Sequence, residues 1–575
     1  MNKIKVLSEE TIKRISAGEI IERPVSVTKE LIENSIDAQA TEIFVEIKQG
    51  GKKLIKVKDN GLGMNKEDII LCIDRHTTSK ISSMDDVYKI KTLGFRGEAL
   101  SSMAAVSRLE IRSIDNDSKI GAKLTVINGK KKLEKCAFPR GTMVAVADIF
   151  YNIPVRLKFL KSIETEASHI YNLIFKLAIA NNNISFKLEV DGRSSLNVLA
   201  VKTLKERLYE LFGKEFVDNL MEIKFKNEEV EIFGYIGKPD FTKPTKNSQY
   251  IFVNNRLVVD KSISHAISSG YEALVPHNRF PVCILFVNIN PSKIDINIHP
   301  TKREIKFMNT NLVYNSIMNA VQEILRKEKP LPKIFPEAEA EAIKGHIPFG
   351  CVPIINEYNY KVLETRTNTI GELMQNYQTE SKVVPIIQIK SMYILAESKD
   401  GIYIIDQHVA HEKVIYEKLS KHSEDKSNPR VGKTQYFLVP ISLKLNFSQS
   451  SILDKSLNDL LDLGFDIENF GKNTFLLRGT PEFLKDTNVE KMLVEIIDTL
   501  SEDIVSNNLV KDGKENLLRS IACHSAVRAG DKLTYEEMSR LVNEFLNCDL
   551  QYCPHGRPGL IKINFDEIDR KFKRC

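Results

Sequence analysis

The stretch from Ser26 to Ala38, SVTKELIENSIDA, constrains this chain more than any other. Ser26 can cap a helix N-terminus. After it Glu30, Asn34 and Asp37 follow at helical spacing in one narrow stripe, while Leu31, Ile32 and Ile36 point the other way. A helix that buries its apolar side and lines up two carboxylates and a carboxamide can hold a water and a cation against something anionic. An ordinary solvated helix face accounts for the helix alone equally well, so the segments after it decide.

The next segment, IFVEIKQGGKKLIKVKDNGLGM, alternates like strands and runs into Asp59, Asn60, Gly61, Gly63 and Met64. Aspartate in a glycine-rich turn can be simple hairpin chemistry. It can also accept a hydrogen bond from an adenine amino group while the glycines let backbone close on the ring. Farther on, RHTTSK supplies Thr78, Ser79 and Lys80, and LGFRGEAL supplies Gly94, Phe95, Arg96 and Gly97 before a helix predicted to open through Glu98, Ala99 and Leu100. Backbone N–H groups at such a junction form an anion site.

Together ISAGEIIERPVSVTKELIENSIDA, DNGLGM, RHTTSKI, GFRGEALSSMAAVSRL and GTMVAVADIFYNIPVRLKFLK resemble the N-terminal ATPase of the MutL family of DNA mismatch-repair proteins. That family shares an ATP-binding fold with DNA gyrase, a heat-shock chaperone and histidine kinases. The likeness is nearly continuous from Ile15 to Lys161, and GFRGEAL and NIPVRLKFLK separate MutL from the rest of the group. It implies ATP with Mg²⁺ as cofactor: Glu30 as general base, Asn34 as Mg²⁺ ligand, Asp59 as the adenine contact with Thr142 behind it. Gly63, Met64, Thr78, Ser79, Lys80 and the loop from Gly94 to Leu100 would surround the nucleotide.

A length of 575 residues implies three or four domains, and 42% hydrophobic with 27% charged residues is ordinary for soluble globular protein. MNKIKVLSEE has no apolar signal core and no run is long enough to span a bilayer, so a cytoplasmic protein with no membrane partner is expected. Eight scattered cysteines give no disulfide framework, although Cys523, Cys548, Cys553 and Cys575 crowd the C-terminal end. A net charge of only +6 does not announce a nucleic-acid binder, so any DNA surface is local, and Lys130 to Lys132 read as a solvated turn.

The expected architecture is α+β and multidomain. An α/β-sandwich ATPase of the gyrase/MutL type covers 1–205, a small α+β transducer domain 206–328 and a flexible linker 329–380. A C-terminal α+β dimerisation and endonuclease domain covers 381–575, with an inserted subdomain over about 433–520. VEIFGYIGKP, QYIFVNNRLVV and CILFVNINP read as strands of the second domain, and NIHPTKREIKF resembles the family loop whose lysine, Lys302 here, reaches the ATP γ-phosphate. In VNNRLVVDK, Asn255 stands where the family usually has glycine, and Arg256 and Lys261 are candidates for double-stranded DNA phosphates. From Pro330 to Thr379 the periodicity dissolves into Pro-, Ala/Glu-rich and polar sequence, which as a coil spans roughly 40 Å.

VVPIIQIKSMYILAESKDGIYIIDQH reads as two strand-like runs joined by a KDG hairpin signal, followed by a helix from AHEKVIYEKL. Asp406, His408, Glu412 and Glu417 thus cluster at a strand end and on the helix after it. Carboxylates and imidazole at helical spacing suit a divalent metal, whereas a polar helix N-terminus explains them as well. IACHSAVRAG and CPHGRPG add Cys523, His524, Cys553 and His555, soft ligands of the kind zinc prefers.

DQHVAHEKVIYE resembles the endonuclease motif of those MutL proteins that nick DNA themselves, and ACHSAVRAG and CPHGRP resemble the companion motifs. The resemblance implies Asp406 as the catalytic carboxylate, with His408, Glu412, Cys523, Cys553 and His555 holding Zn²⁺ or Mn²⁺. QYFLVP resembles the peptide by which bacterial repair proteins bind the replication sliding clamp, through Gln435, Leu438 and Pro440. The implied protein is an ATP-operated homodimer, joined through its C-terminal domains and paired by ATP through its N-terminal ones, that nicks DNA downstream of a mismatch sensor of the MutS type. The competing reading is a matchmaker scaffold that merely stores zinc; a structural zinc site has little need of Asp406.

Overall fold

The computed structural model describes residues 21–75, 77–80, 92–94, 97–275, 279–295, 305–328, 383–424, 434–471, 473–484, 488–506, 513–527, 530–548, 551–553 and 557–572. They divide into two compact units, 1–327 with 426–517 and 328–425 with 518–575. Among the described residues no helix is long and apolar enough to cross a membrane.

The first described helix, α1 (Pro24–Asp37), begins earlier than Ser26. Arg23 is its extended N-cap and makes no side-chain cap, since a guanidinium has no acceptor, while Pro24 at the first helical position brings a preset φ and no N–H of its own. β1 (Glu42–Lys48), β2 (Leu54–Asp59), α2 (Lys66–Leu71), α3 (Ala99–Val106), β3 (Arg108–Ile114), β4 (Gly121–Ile127), β5 (Lys130–Cys136), β6 (Gly141–Ala147), α4 (Pro154–Lys158), α5 (Ile163–Ala180), β7 (Ser185–Val190) and β8 (Arg193–Val198) follow. Their eight strands form one sheet in the order β5-β4-β3-β6-β2-β1-β7-β8, with β1 and β7 parallel.

Alternation sends Val45, Ile47, Ile55, Val57, Ile111 and Val146 into a core shared with Leu31 and Ile32 of α1 and Ile170 and Ile174 of α5. The opposite face carries charge: Glu46 pairs with Lys56, and the ammonium groups of Lys56 and Lys187 lie 5.9 and 5.3 Å from the centre of the Phe44 ring. Lys130 to Lys132 are not a turn but the start of β5 at the sheet edge. Asn128 and Gly129, at φ of 50° and 75°, make the tight turn before it, and the lysines guard the edge against pairing with another chain.

The second domain contains α6 (Leu204–Phe212), α7 (Lys214–Asp218), β9 (Leu220–Lys226), β10 (Val230–Gly237), β11 (Thr242–Lys243), β12 (Gln249–Val253), β13 (Arg256–Leu257), α8 (Lys261–Tyr271), β14 (Phe280–Pro281), β15 (Cys283–Ile289), β16 (Ile294–Asp295), β17 (Lys306–Phe307) and α9 (Thr310–Glu328). Its main sheet runs β13-β12-β15-β10-β9. One face packs under α8 and α9, and the other joins Leu208, Val217, Tyr250 and Phe252 to Ile179 at the end of α5. The β12–β13 turn places Asn254 and Asn255 at φ of 47° and 63°. Asparagine tolerates that left-handed conformation, so Asn255 fulfils the glycine's backbone role.

The rest of the chain contributes β18 (Val383–Ile389), β19 (Tyr393–Ser398), β20 (Gly401–Asp406) and α10 (Gln407–Glu424). An insert follows, made of β21 (Thr434–Lys444), α11 (Phe447–Asp462), β22 (Asp466–Gly471), β23 (Thr474–Pro481) and α12 (Val489–Ser506), and after it come α13 (Gly513–Ser525), α14 (Tyr535–Leu546), β24 (Leu560–Asn564) and α15 (Phe565–Lys571). The insert forms a three-stranded sheet, β21-β23-β22, and groups with the first unit. In the second unit β18-β19-β20-β24 form an antiparallel sheet.

The region before α10 thus holds three strands rather than two. The additional turn, at Lys390 and Ser391 with φ of 53° and 48°, contains no glycine, so the sequence carries no hairpin signal there. One face of this sheet packs Ile394, Ala396 and Ile405 against α10 and α14. The other leaves Val384, Ile387, Ile389, Tyr393 and Ile561 exposed.

Candidate nucleotide site and candidate nuclease site

α1 presents Glu30, Asn34 and Asp37, all half-buried, along one side. The Lys80 ammonium donates to Asn34 Oδ1 at 2.9 Å and to Asp37 Oδ2 at 2.6 Å, so this oxygen pair already accepts a cation, the lysine standing where a divalent ion with hard oxygen ligands would fit. Asp37 also gathers the loop before α3: its carboxylate accepts from Leu93 N at 2.9 Å and Gly94 N at 3.1 Å. Its loop partners Leu93 and Gly94 lie more than fifty residues away and have no local signature.

Asp59, at the end of β2, is buried and faces Thr142 across the β2–β6 ladder. Its Oδ2 accepts from Ser35 Oγ at 2.8 Å, and its Oδ1 from Gly61 N at 2.9 Å and Thr142 N at 3.3 Å. Burial raises the Asp59 pKa above the ordinary aspartate range, against the lowering effect of these donors. Ser113, another residue without a sequence signal, accepts from Met64 N at 2.8 Å and shares a 2.8 Å hydrogen bond with Thr142 Oγ1.

Two glycines make close approaches that no side chain allows. A Cβ on Gly63 (φ 75°) would lie 2.0 Å from the Ile114 carbonyl oxygen, and one on Gly97 (φ 62°) 2.2 Å from that of Thr77. The second contact brings the loop before α3 onto the segment of Thr78, whose Oγ1 accepts from Lys80 N at 3.2 Å, and of exposed Ser79. Glu98 is the N-cap of α3, and Ala99 and Leu100 open the helix. Phe95, Arg96 and Lys302 lie outside the described residues, the last between the paired β16 and β17.

Arg256, expected on DNA phosphates, occupies a different place. It is half-buried, donates from an Nη to the Thr92 carbonyl at 2.7 Å and lies in the field of Glu33, Asp37 and Glu30. The turn at Asn254 and Asn255 aims it inward. Lys261 is exposed as the first residue of α8.

With the adenine contact that the resemblance implies for Asp59, a proton on this carboxylate competes with the amino donor, and affinity for ADP is expected to fall as pH drops through the raised Asp59 pKa, earlier than an ordinary aspartate would give. For folding the sign is opposite: the raised pKa adds stability below the unfolded-state value and loses it as pH rises through the folded one. ADP titrations across pH check the first statement; an Asp59→Asn chain is expected to bind ADP weakly and without this pH dependence.

In the second unit Asp406 ends β20 and caps α10, its Oδ1 accepting from His408 N at 3.0 Å and Val409 N at 3.1 Å. Two histidines one turn apart grip Val527, which follows α13: His408 Nδ1 lies 2.9 Å from its carbonyl oxygen, and His411 Nδ1 accepts from its N–H at 3.0 Å. Burial pushes the His411 imidazole down to about 4, which keeps that acceptor nitrogen unprotonated. His411 carries no local sequence signal for this role.

Glu412 and Cys553 are buried and Cys523 half-buried; His555 lies outside the described residues. Among the described residues no three His, Cys, Asp or Glu side chains form a group able to hold a metal. In the insert, Gln435, Leu438 and Pro440 are exposed, and between Tyr436 and Ile441 the β21–β23 register shifts. The intervening FLVP therefore bulges from the sheet with Leu438 fully in solvent.

A mixed sheet backed by α1, with its polar stripe over a buried aspartate and glycine-dependent loops, defines an ATPase of the histidine kinase, DNA gyrase B and HSP90-like class, whose family model matches residues 22–138. Models for the C-terminal domain of DNA mismatch repair protein and for the MutL C-terminal dimerisation domain match 208–326 and 386–533. DNA mismatch repair protein MutL of Koribacter versatilis is 34% identical over 651 residues, covering 100% of both chains. That of Endomicrobium trichonymphae is 35% identical over 600 residues, covering 99% of this chain and 100% of the relative. The chain belongs to the MutL family of DNA mismatch-repair proteins. A solved structure of the Aquifex aeolicus MutL ATPase domain complexed with ADP is 28% identical and covers 52% of this chain and 97% of that one, with a TM-score of 0.37.

Proposed function

We propose that this MutL chain is an ATP-operated homodimer that itself nicks the DNA strand to be repaired. The observation that supports the nuclease reading is the contact of His408, two residues after Asp406 at the β20–α10 junction, with the Val527 carbonyl of the companion segment. A carbonyl at Nδ1 fixes the histidine tautomer and would leave the Nε2 lone pair available to a metal, the usual outer-shell arrangement for a ligating imidazole. The donor set of Asp406, His408, Glu412, Cys523, Cys553 and His555 suits Zn²⁺ through its sulfur and nitrogen and Mn²⁺ through its carboxylates.

An ion held by these residues would lower the pKa of a bound water towards about 7, the chemistry that phosphodiester hydrolysis needs. The chain's own part is to orient the ligands and bring the DNA to them.

In the N-terminal domain Glu30 takes the proton of the hydrolytic water, Asn34 supplies a Mg²⁺ oxygen and Asp59 receives the adenine amino group. Lys302 contacts the γ-phosphate and is released when that group leaves. The exposed apolar face of Val384, Ile387 and Ile561 supports pairing of two C-terminal domains. ATP-dependent pairing of the N-terminal domains then closes a ring on double-stranded DNA in the cytoplasm, after a MutS-type sensor has found the mismatch. The Leu438 bulge supports docking to the sliding clamp.

The test is nicking of supercoiled plasmid by purified protein in Mn²⁺. Wild type is expected to nick, EDTA to stop it, and clamp with ATP to raise the rate. A Leu438→Ala chain is expected to keep the basal rate and lose that rise. No nicking by the wild type would leave the matchmaker scaffold.

Arg256→Ala is expected to release the Thr92 carbonyl and, by losing a charge-assisted hydrogen bond worth about 1.5–3 kcal/mol, to lower ATP turnover about tenfold or more. Unchanged turnover would show that the arginine does not hold the loop in the working enzyme.

A further inference from the structure

The insert does not stand apart from the N-terminal half. Its helices α11 and α12 meet two different domains there. On the ATPase side, Phe447 packs on the aromatic ring of Tyr171 in α5, with centroids 5.7 Å apart, and joins the edge of the ATPase core. Lys455 of α11 reaches back to Ser162 Oγ at 3.1 Å and Glu164 Oε2 at 3.4 Å.

On the transducer side, Arg279 donates to both carboxylate oxygens of Glu495 in α12, at 2.8 and 3.3 Å, while its remaining donors hold Thr242 of β11. Glu495 is buried to within 1%. A buried carboxylate is tolerated when a bidentate guanidinium neutralises it and hydrogen bonds fix the geometry, and Thr242 supplies that fixation. An accidental touch between two solvated surfaces has no need to bury a glutamate and orient its partner.

We propose that the inserted subdomain is an intramolecular ligand of the N-terminal half, docked across the junction of the ATPase and transducer domains of its own chain. The two anchors sit on different domains, Tyr171 on one and Arg279 on the other, so a rotation between those domains strains one anchor or releases it. The sheet that carries the Leu438 bulge is attached to both anchor helices. Docking therefore couples the domain carrying Glu30 and Asn34 to the surface offered to the clamp, a coupling that does not depend on whether the second unit cuts DNA.

The experiment is zero-length carbodiimide cross-linking of the full-length protein, read by mass spectrometry. A Lys455–Glu164 amide is expected in the wild type. Arg279→Glu and Glu495→Arg, each verified as folded by its melting curve, are expected to cut the yield of that amide at least fivefold, and the charge-swapped Arg279→Glu/Glu495→Arg double variant to restore it. Absence of the amide in wild type, or an undiminished yield in a folded single variant, overturns the docking. In a doubly tagged pair of chains, one Lys455→Arg and the other Glu164→Gln, the amide is expected to vanish. Its persistence would place the insert on the second copy and overturn the intramolecular assignment.

Discussion

Replacing Glu30 by Gln is expected to lower ATP hydrolysis by about 10²–10⁴-fold, the usual contribution of a positioned general base, while ADP affinity stays within a few-fold of wild type. The separation follows from the geometry. Glu30 lies on the half-buried polar stripe of α1, one turn before Asn34, whereas the adenine recognition proposed for Asp59 rests on a separate carboxylate with its own Ser35, Gly61 and Thr142 donors. Glutamine keeps the size and helix propensity of glutamate, so α1 and the core beneath it are undisturbed. Phosphate release in steady state and ADP titration measure the two quantities. Hydrolysis within a few-fold of wild type would move the base elsewhere on α1, with Glu33 the next carboxylate along the helix and already paired with Lys29 at 3.6 Å.

Asp406→Asn is expected to abolish plasmid nicking, by at least about a hundredfold or ~2.7 kcal/mol of transition-state stabilisation, with ATP hydrolysis unchanged. This substitution separates the capping of α10, which the carboxylate performs, from the catalytic role proposed for it. Its Oδ1 caps α10 at His408 N and Val409 N, and an asparagine oxygen accepts the same two hydrogen bonds. Only the negative charge is lost, and with it the metal affinity proposed for this carboxylate. Asp406→Ala removes the cap as well and is expected to cost a further ~1 kcal/mol of stability. Equal nicking by wild type and Asp406→Asn would leave the carboxylate a cap and nothing more.

Much of the N-terminal half was legible because its chemistry is local. The α1 stripe, the strand ending in Asp59 and the glycines at Gly63 and Gly97 each lie within a short window whose periodicity or backbone demands are readable. The roles of Asp37, Ser35, Ser113 and Arg256 depend on partners brought together only by the sheet order and by the packing of the second domain. Arg256 reads as a surface cation until the Asn254–Asn255 turn is seen to aim it at Thr92.

Elsewhere the missing signal was a turn without glycine. Lys390 and Ser391 adopt left-handed φ values that sequence reading assigns to glycine or asparagine, so one strand was not separated from the next. Proline misled in the other sense at α1, where Ser26 looked like the cap and Pro24 had already started the helix. His411 has no readable role in sequence because its partner, Val527, lies beyond the whole insert.

The pairing of β24 with β20, Gly401 opposite Asn564 through Ile405 opposite Leu560, sets the order in which this protein can mature during synthesis. The fourth strand of that sheet leaves the ribosome last, after the entire insert. Until then β20 presents an open edge next to an uncovered apolar face, the kind of surface that pairs with the wrong neighbour. The N-terminal sheet waits in the same way for β7 to join β1. Both units are therefore non-local in their closure, and nascent chains halted before Leu560 are expected to depend on chaperones to a degree that the finished protein does not.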